Sequence, residues 1–297
     1  MIKEKWIAKL GKPSFEIPEG KLTFIKRYEY EEFDVEIYTQ PNGPDTFQRV
    51  AIALPKKINI PCPGVVVPFY FPEAMLGFNP ETDEVLEKYA QIPLMVHLVK
   101  RGYIAISAEA YHLTYSKEKV ENVGFALWKL SAEKLRKDNP EWTGIGKLVS
   151  DTKLLIDALC EDNRVDSSRI GIIGHSLGGK MAFYTGCLDE RIKVIIASDF
   201  GIGWDQTNWT DIWYWGDYVD TLKNKNMDHS ELLGAAAPKP FCLIAGEYDN
   251  SDSWDMMCKA DGYNIDDGRL KIINHQTGHR PPLSALNEAY DFMDKWL

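Results

Sequence analysis

Basic charge, long apolar runs and clustered cysteines are all scarce in this 297-residue chain, and each shortage excludes something. Lysine and arginine number 34 against 44 aspartates and glutamates, a formal net charge of −10. That excess repels phosphate backbones and anionic bilayers, so neither nucleic acid nor a membrane is expected as a partner. No apolar run is long enough to span a bilayer, and residues 1–10 lack the continuous apolar core of a signal peptide. A cytoplasmic location is the resulting expectation. The five cysteines (Cys62, Cys160, Cys187, Cys242, Cys258) are odd in number, widely scattered and never paired as Cys-x-x-Cys. The six histidines show no His-x-x-x-His spacing. Neither a zinc site nor a disulfide framework is expected, and no metal or other cofactor.

What remains is an ordinary globular composition, 44% hydrophobic and 26% charged, in a length that can bury one large core. Strand-like segments come first, at 22–30, 33–39 and 47–54, separated by short turns. Strand and helix then alternate. Residues 64–71, 103–110, 169–174, 194–198, 240–245 and 270–273 read as strands; 93–101, 144–160, 177–187 and 282–297 read as helices. Such alternation predicts an α/β fold: a mostly parallel central sheet with helices on both faces and antiparallel N-terminal edge strands. One domain over 1–297 is expected, with lid-like insertions at about 110–142 and 201–226. Ligands in such folds sit at the carboxyl ends of the strands.

One of those ends carries Gly174-His175-Ser176-Leu177-Gly178, a serine between glycines where a β-branched run meets a helix. This Gly-x-Ser-x-Gly pattern is a nucleophile elbow. A strand must turn sharply into a helix while holding the serine oxygen above the sheet, so the flanking positions must be small. The Leu177 N–H can then face a developing oxyanion at the helix N-terminus. A serine needs a base, and the base an orienting acid, which in this type of site follow in the order Ser, acid, His. Asp249, just past the strand 241–245, is the acid favoured, with Asp252 and Glu247 as close rivals and Asp199, at the end of the preceding strand, as a more distant one. His279, between Gly278 and a loop closed by Pro281 and Pro282, is the base. His275 and His97 read as structural, His112 as a possible pocket residue, and His175 as turned away from the serine. A second oxyanion donor should come from the backbone of Phe69 or Tyr70, because Pro68 has no N–H.

These residues resemble the α/β-hydrolase superfamily over nearly the full length, and within it the dienelactone-hydrolase-like and acetyl xylan esterase-like branch. The likeness lies in Gly-His-Ser-Leu-Gly-Gly-Lys at 174–180, Ser-Asp-Phe-Gly-Ile-Gly at 198–203, Asn208-Trp209, Asp249 followed by Ser253-Trp254, and Gly278-His279. It implies metal-free ester hydrolysis through an acyl-enzyme on Ser176, Asp249 and His279. The serine departs from the cysteine elbow of dienelactone hydrolases and favours an ordinary carboxylic ester. Aromatic rings stack on sugars, and Tyr111, Trp128, Trp204, Trp209 and Trp254 are the substrate-binding candidates. The same rings would equally serve as lid core or as a contact in a homo-oligomer. The expected function is therefore a serine esterase deacetylating carbohydrate, with a small-molecule or oligosaccharide ester as substrate. Its alternatives are a dienelactone-hydrolase-like or general short-acyl esterase, a peptidase of the prolyl-oligopeptidase type, and a non-catalytic binding module.

Overall fold

The computed structural model describes residues 1–57, 61–116 and 125–297. Nine strands form one sheet: β1 (Thr23–Glu29), β2 (Phe33–Gly43), β3 (Thr46–Pro55), β4 (Cys62–Val66), β5 (Ile104–Ala108), β6 (Val165–His175), β7 (Ile192–Ser198), β8 (Phe241–Ala245) and β9 (Leu270–Asn274). Their spatial order is β1-β2-β3-β5-β4-β6-β7-β8-β9. β1, β2, β3 and β5 pair antiparallel in succession, and β5 through β9 pair parallel. The antiparallel edge and the parallel body both match the alternation in the sequence.

The parallel strands are apolar on both faces because both are covered. Helices α1 (Ile2–Leu10), α2 (Pro72–Leu76), α3 (Leu94–Lys100), α4 (Tyr111–Thr114), α5 (Ala126–Asp138), α6 (Gly144–Glu161), α7 (Leu177–Leu188), α8 (Tyr218–Asn224), α9 (His229–Ala236), α10 (Ser251–Cys258) and α11 (Leu283–Trp296) complete the described fold. α6 and α7 cover one face, and α3 and α11 the other. α6 starts where the Thr143 hydroxyl accepts from the Gly146 N–H at 3.0 Å, a capping bond worth about 1 kcal/mol. Its Ile145, Leu148, Val149, Leu155, Ile156 and Leu159 are all buried, as the helical spacing requires.

The N-terminal segment is a helix that closes the core. Trp6 of α1 is fully buried, its ring 6.3 Å from Trp204 and 5.9 Å from His229, and its indole N–H donates to Glu231 at 3.2 Å. Burying a ring of that size stabilises the attachment by about 3 kcal/mol.

The register of the parallel strands decides where the site lies. His175 is level with Ser198, Ser198 with Ile244, and Ala245 with Asn274. The residues that follow, Ser176, Asp199, Gly246 and His275, therefore leave the sheet side by side at its carboxyl edge.

Candidate active site

Ser176 turns β6 into α7 with φ 57° and ψ −116°, a conformation disfavoured for a residue with a Cβ. Its N–H donates to the Ser198 carbonyl at 2.8 Å. A Cβ on Gly174 would lie 2.0 Å from the Gly178 carbonyl oxygen, and one on Gly178 the same distance from that of Pro68. The elbow glycines are thus required by contact: one lets strand and helix close on each other, and the other brings the β4 loop against the helix start.

Ser176 opens into a cavity of about 370 Å³ that it shares with His279, His175, Phe69 and Tyr70. Burial pushes the Tyr70 phenol pKa well above the usual value. Leu177 opens α7, where the first N–H groups have no intrahelical acceptor. Of the three residues expected around an oxyanion, Phe69 and Tyr70 line the cavity and Leu177 directly follows the serine. His175 is buried against the His279 ring, 4.5 Å between centroids, with Nδ1 3.1 Å from the Ser198 hydroxyl. Burial first, and then the nearby His279, lower its pKa to about 3, so it is neutral.

The acid facing His279 is Asp199. His279 Nδ1 lies 2.7 Å from Asp199 Oδ2. A carboxylate only accepts, so Nδ1 donates and Nε2 is left as the acceptor. Asp199 also accepts from the backbone N–H groups of Gly246, Glu247, Tyr248 and Asp249 at 2.9–3.1 Å. Burial raises its pKa, but the His279 bond and these N–H donors outweigh it and hold the carboxyl below its ordinary value. Asp199 takes a left-handed backbone, φ 42°, which aims the carboxylate back across the loop after β8.

This corrects the expectation for Asp249. Its carboxylate is sealed in by the N–H groups of Phe200, Gly201 and Ile202, each at 2.8 Å, and by the Ser253 hydroxyl at 3.0 Å. Burial is the largest influence there and leaves its pKa raised. The rivals are elsewhere too: Glu247 and Asp252 are exposed, and Asp252 sits in the first turn of α10 behind the Asn250 cap. Both Asp199 and Asp249 satisfy the order Ser, acid, His, so chain order alone does not separate them.

Of the five aromatic residues expected to contact substrate, Trp128 lines the cavity, stacked on Tyr70 with centroids 4.6 Å apart. The other four do not. Tyr111 is fully buried and donates its hydroxyl to the Trp213 carbonyl at 3.0 Å. Trp204 and Trp209 donate to the Met227 and Gly201 carbonyls at 2.9 and 2.8 Å inside an aromatic cluster with Trp6, Tyr184 and Trp215. Trp254 packs half-buried against the core from α10. In the segment 201–226, where a lid was expected, Trp204, Trp209, Trp213, Tyr214 and Trp215 are buried in the core. The other expected lid contributes Leu113, Phe125 and Trp128 to the cavity, and its residues 117–124 lie outside the described residues.

The remaining histidines also have places. His97 Nδ1 is 3.0 Å from the Tyr290 hydroxyl, and His275 Nδ1 is 2.8 Å from that of Thr277. His112 is fully buried, stacked on Tyr111, with burial lowering its pKa to about 3. Lys88, Tyr89 and Arg280 also line the cavity and are not among the residues expected from sequence. Lys88 and Tyr89 sit in a single 3-10 turn, Glu87–Tyr89, too short to carry a periodic pattern, and Arg280 lies in a loop.

The family described as glucuronyl esterase of fungi matches residues 151–211, a stretch that contains both Ser176 and Asp199. A Bacillus subtilis (strain 168) protein named "Putative hydrolase YtaP" is 25% identical over 263 residues, covering 82% of this chain and 81% of that one. Among solved structures, a glucuronoyl esterase from Solibacter usitatus superposes with a TM-score of 0.70 at 15% identity, over 99% of this chain and 90% of that one. An acetyl xylan esterase from a Paenibacillus species superposes with a TM-score of 0.61 at 15% identity, over 99% and 92%. The fold is that of the α/β-hydrolase esterases.

Proposed function

We propose that this protein is a serine ester hydrolase that removes small acyl groups, acetyl foremost, from a carbohydrate or similar polyol. One observation carries the reading: His279 faces the cavity of Ser176 while its other ring nitrogen is bound to the buried Asp199 carboxylate. That arrangement suits a base that must gain and lose a proton without moving. The Ser176 hydroxyl attacks the ester carbonyl as His279 Nε2 takes its proton, and Asp199 stabilises the resulting imidazolium. The oxyanion is met by the Leu177 N–H and by a backbone N–H of Phe69 or Tyr70. His279 returns the proton to the leaving alkoxide. A water molecule, deprotonated by the same nitrogen, then releases the acid and restores the serine.

The carbohydrate part rests on the neighbours, which include acetyl xylan and glucuronoyl esterases, and on the aromatic wall of the cavity. Tyr70 stacks on Trp128, and Phe125 packs on the same indole, tilted, with centroids 4.4 Å apart. Such rings match the apolar face of a sugar. A serine-directed fluorophosphonate should label the protein at Ser176, and Ser176→Ala should lower hydrolysis of a small aryl acetate by at least about 10⁴-fold while leaving the melting temperature near that of the parent. Full activity in that variant, or labelling elsewhere, overturns the proposal.

A further inference from the structure

The charges that line the cavity contradict those of the chain as a whole. On a protein of net charge −10, the cavity of Ser176 is lined, among the described residues, by two cations, Lys88 and Arg280, and by no carboxylate. Both belong to one patch. The Lys88 ammonium lies 5.6 Å from the centre of the Tyr89 ring, and the Arg280 guanidinium 5.9 Å from it. Arg280 follows His279 directly, so the patch begins one residue from the proposed base.

Arg280 is set apart from the other arginines. Arg27, Arg49, Arg101, Arg164, Arg169, Arg191 and Arg269 each hold a carboxylate, and Arg136 donates to the Trp215 carbonyl. Among the described residues, Arg280 and Lys88 have neither kind of partner; the cation of each lies over the Tyr89 ring. An arginine fork left open at the mouth of a partly apolar cavity is suited to a planar two-oxygen anion. Field lines from two adjacent cations are concentrated by low-dielectric walls, here Phe69, Phe71 and Ile92.

We infer that the ester taken by this site bears one carboxylate, bound by Arg280 and Lys88 beside the reacting carbonyl. A single charge is the match: two cations can neutralise it, whereas the net charge of −10 on the whole chain disfavours a polyanion. The inference rests on the reading of Ser176 as an esterase nucleophile and narrows its substrate to acidic esters, such as an acylated sugar acid. The carboxylate can sit on the alcohol portion or on the acyl portion, and the test has an arm for each.

In one arm, 4-acetoxybenzoate is compared with 4-acetoxybenzamide; in the other, the monophenyl ester of glutaric acid with phenyl glutaramate. Each pair differs in one charge and hardly in shape. The readout is the ratio of kcat/KM, acid over amide, within each protein after subtraction of background hydrolysis, so any general loss of activity cancels. The wild type should favour the acid by at least about tenfold in one arm, mainly through KM, and the preference should shrink as salt is raised from low to near-molar concentration, where the screening length is about 3 Å. Lys88→Ala with Arg280→Ala should bring the ratio to about one, and Lys88→Glu with Arg280→Glu should carry it below one. The salt series needs no variant and guards against misfolding of either double mutant. A ratio near one in both arms of the wild type, or a preference that survives in the alanine double variant, overturns the inference alone. If no ester of either pair turns over and Ser176 takes no fluorophosphonate, the esterase reading falls and this inference with it.

Discussion

Asp199 and Asp249 lie just beyond neighbouring parallel strands, are equally inaccessible, and have nearly mirrored surroundings, yet only one faces His279. Asp199 is gripped by the backbone of residues 246–249, the loop that carries Asp249. Asp249 is gripped by the backbone of residues 200–202, the loop that follows Asp199. The difference lies in the backbone and in the last partner. Asp199 is in the left-handed region and reaches an imidazole; Asp249 reaches the Ser253 hydroxyl, which gives it no compensating charge. Their pKa values accordingly move in opposite directions, Asp199 down and Asp249 up. Burial, backbone hydrogen bonds and strand position are therefore alike in the two acids; what separates them is the last partner, an imidazole for Asp199 and a hydroxyl for Asp249.

The largest test of this contrast is Asp199→Asn. It should leave the fold in place but lower kcat for an aryl acetate by about 10³–10⁴-fold, because an amide cannot hold the His279 tautomer or stabilise its cation. Asp249→Asn should do the reverse: kcat within about tenfold of wild type, with stability lower by about 1–3 kcal/mol in urea unfolding, since an amide NH₂ would face backbone donors. Equal losses of kcat in the two variants would erase the distinction.

A smaller effect is expected at Lys180, whose buried ammonium donates to the Phe200 carbonyl at 2.8 Å and feels Asp249 more strongly than Asp199. Burial lowers its pKa to about 7. Above that pH the folded chain holds fewer protons here than the unfolded chain, so stability rises with pH from about 7 towards the unfolded value near 10.5 and is flat below. Between pH 7 and 9 the wild type should gain about 2–3 kcal/mol relative to Lys180→Met, read from urea midpoints at the two pH values. Parallel pH dependences in the two proteins would place the titration elsewhere.

Much of this architecture was legible in residue patterns. The β-branched runs, the amphipathic α6 and the glycines around Ser176 announce the sheet, its coverage and the elbow, because each is fixed by local periodicity or by contact within a few residues. Asp199 was harder to rank because its role depends on register: it stands beside Ser176 only since Ser198 pairs with His175. Trp204 and Trp209 misled for a related reason. An indole has the same chemistry in a core and in a cleft, and distant partners enclose these rings: Trp6 from α1 packs on Trp204, and Tyr184 and Phe200 pack on Trp209. Lys88 and Arg280 left no pattern at all, since one lies in a single 3-10 turn and the other in a loop, and their common neighbour, Tyr89, is almost two hundred positions from Arg280 in the chain.

The mutual grip of the two aspartate loops also constrains how this site can be altered. Each loop supplies both a charge and the amides that neutralise the other's charge, so residues 199–203 and 246–250 constitute a single heritable part written in two places. Grafting one loop from a relative, or changing its length alone, would strand a buried carboxylate without donors. Diversification at the ends of β7 and β8 should therefore proceed by paired exchange, leaving the loop with Tyr89, the Trp128 wall and Arg280 as the positions free to change one at a time.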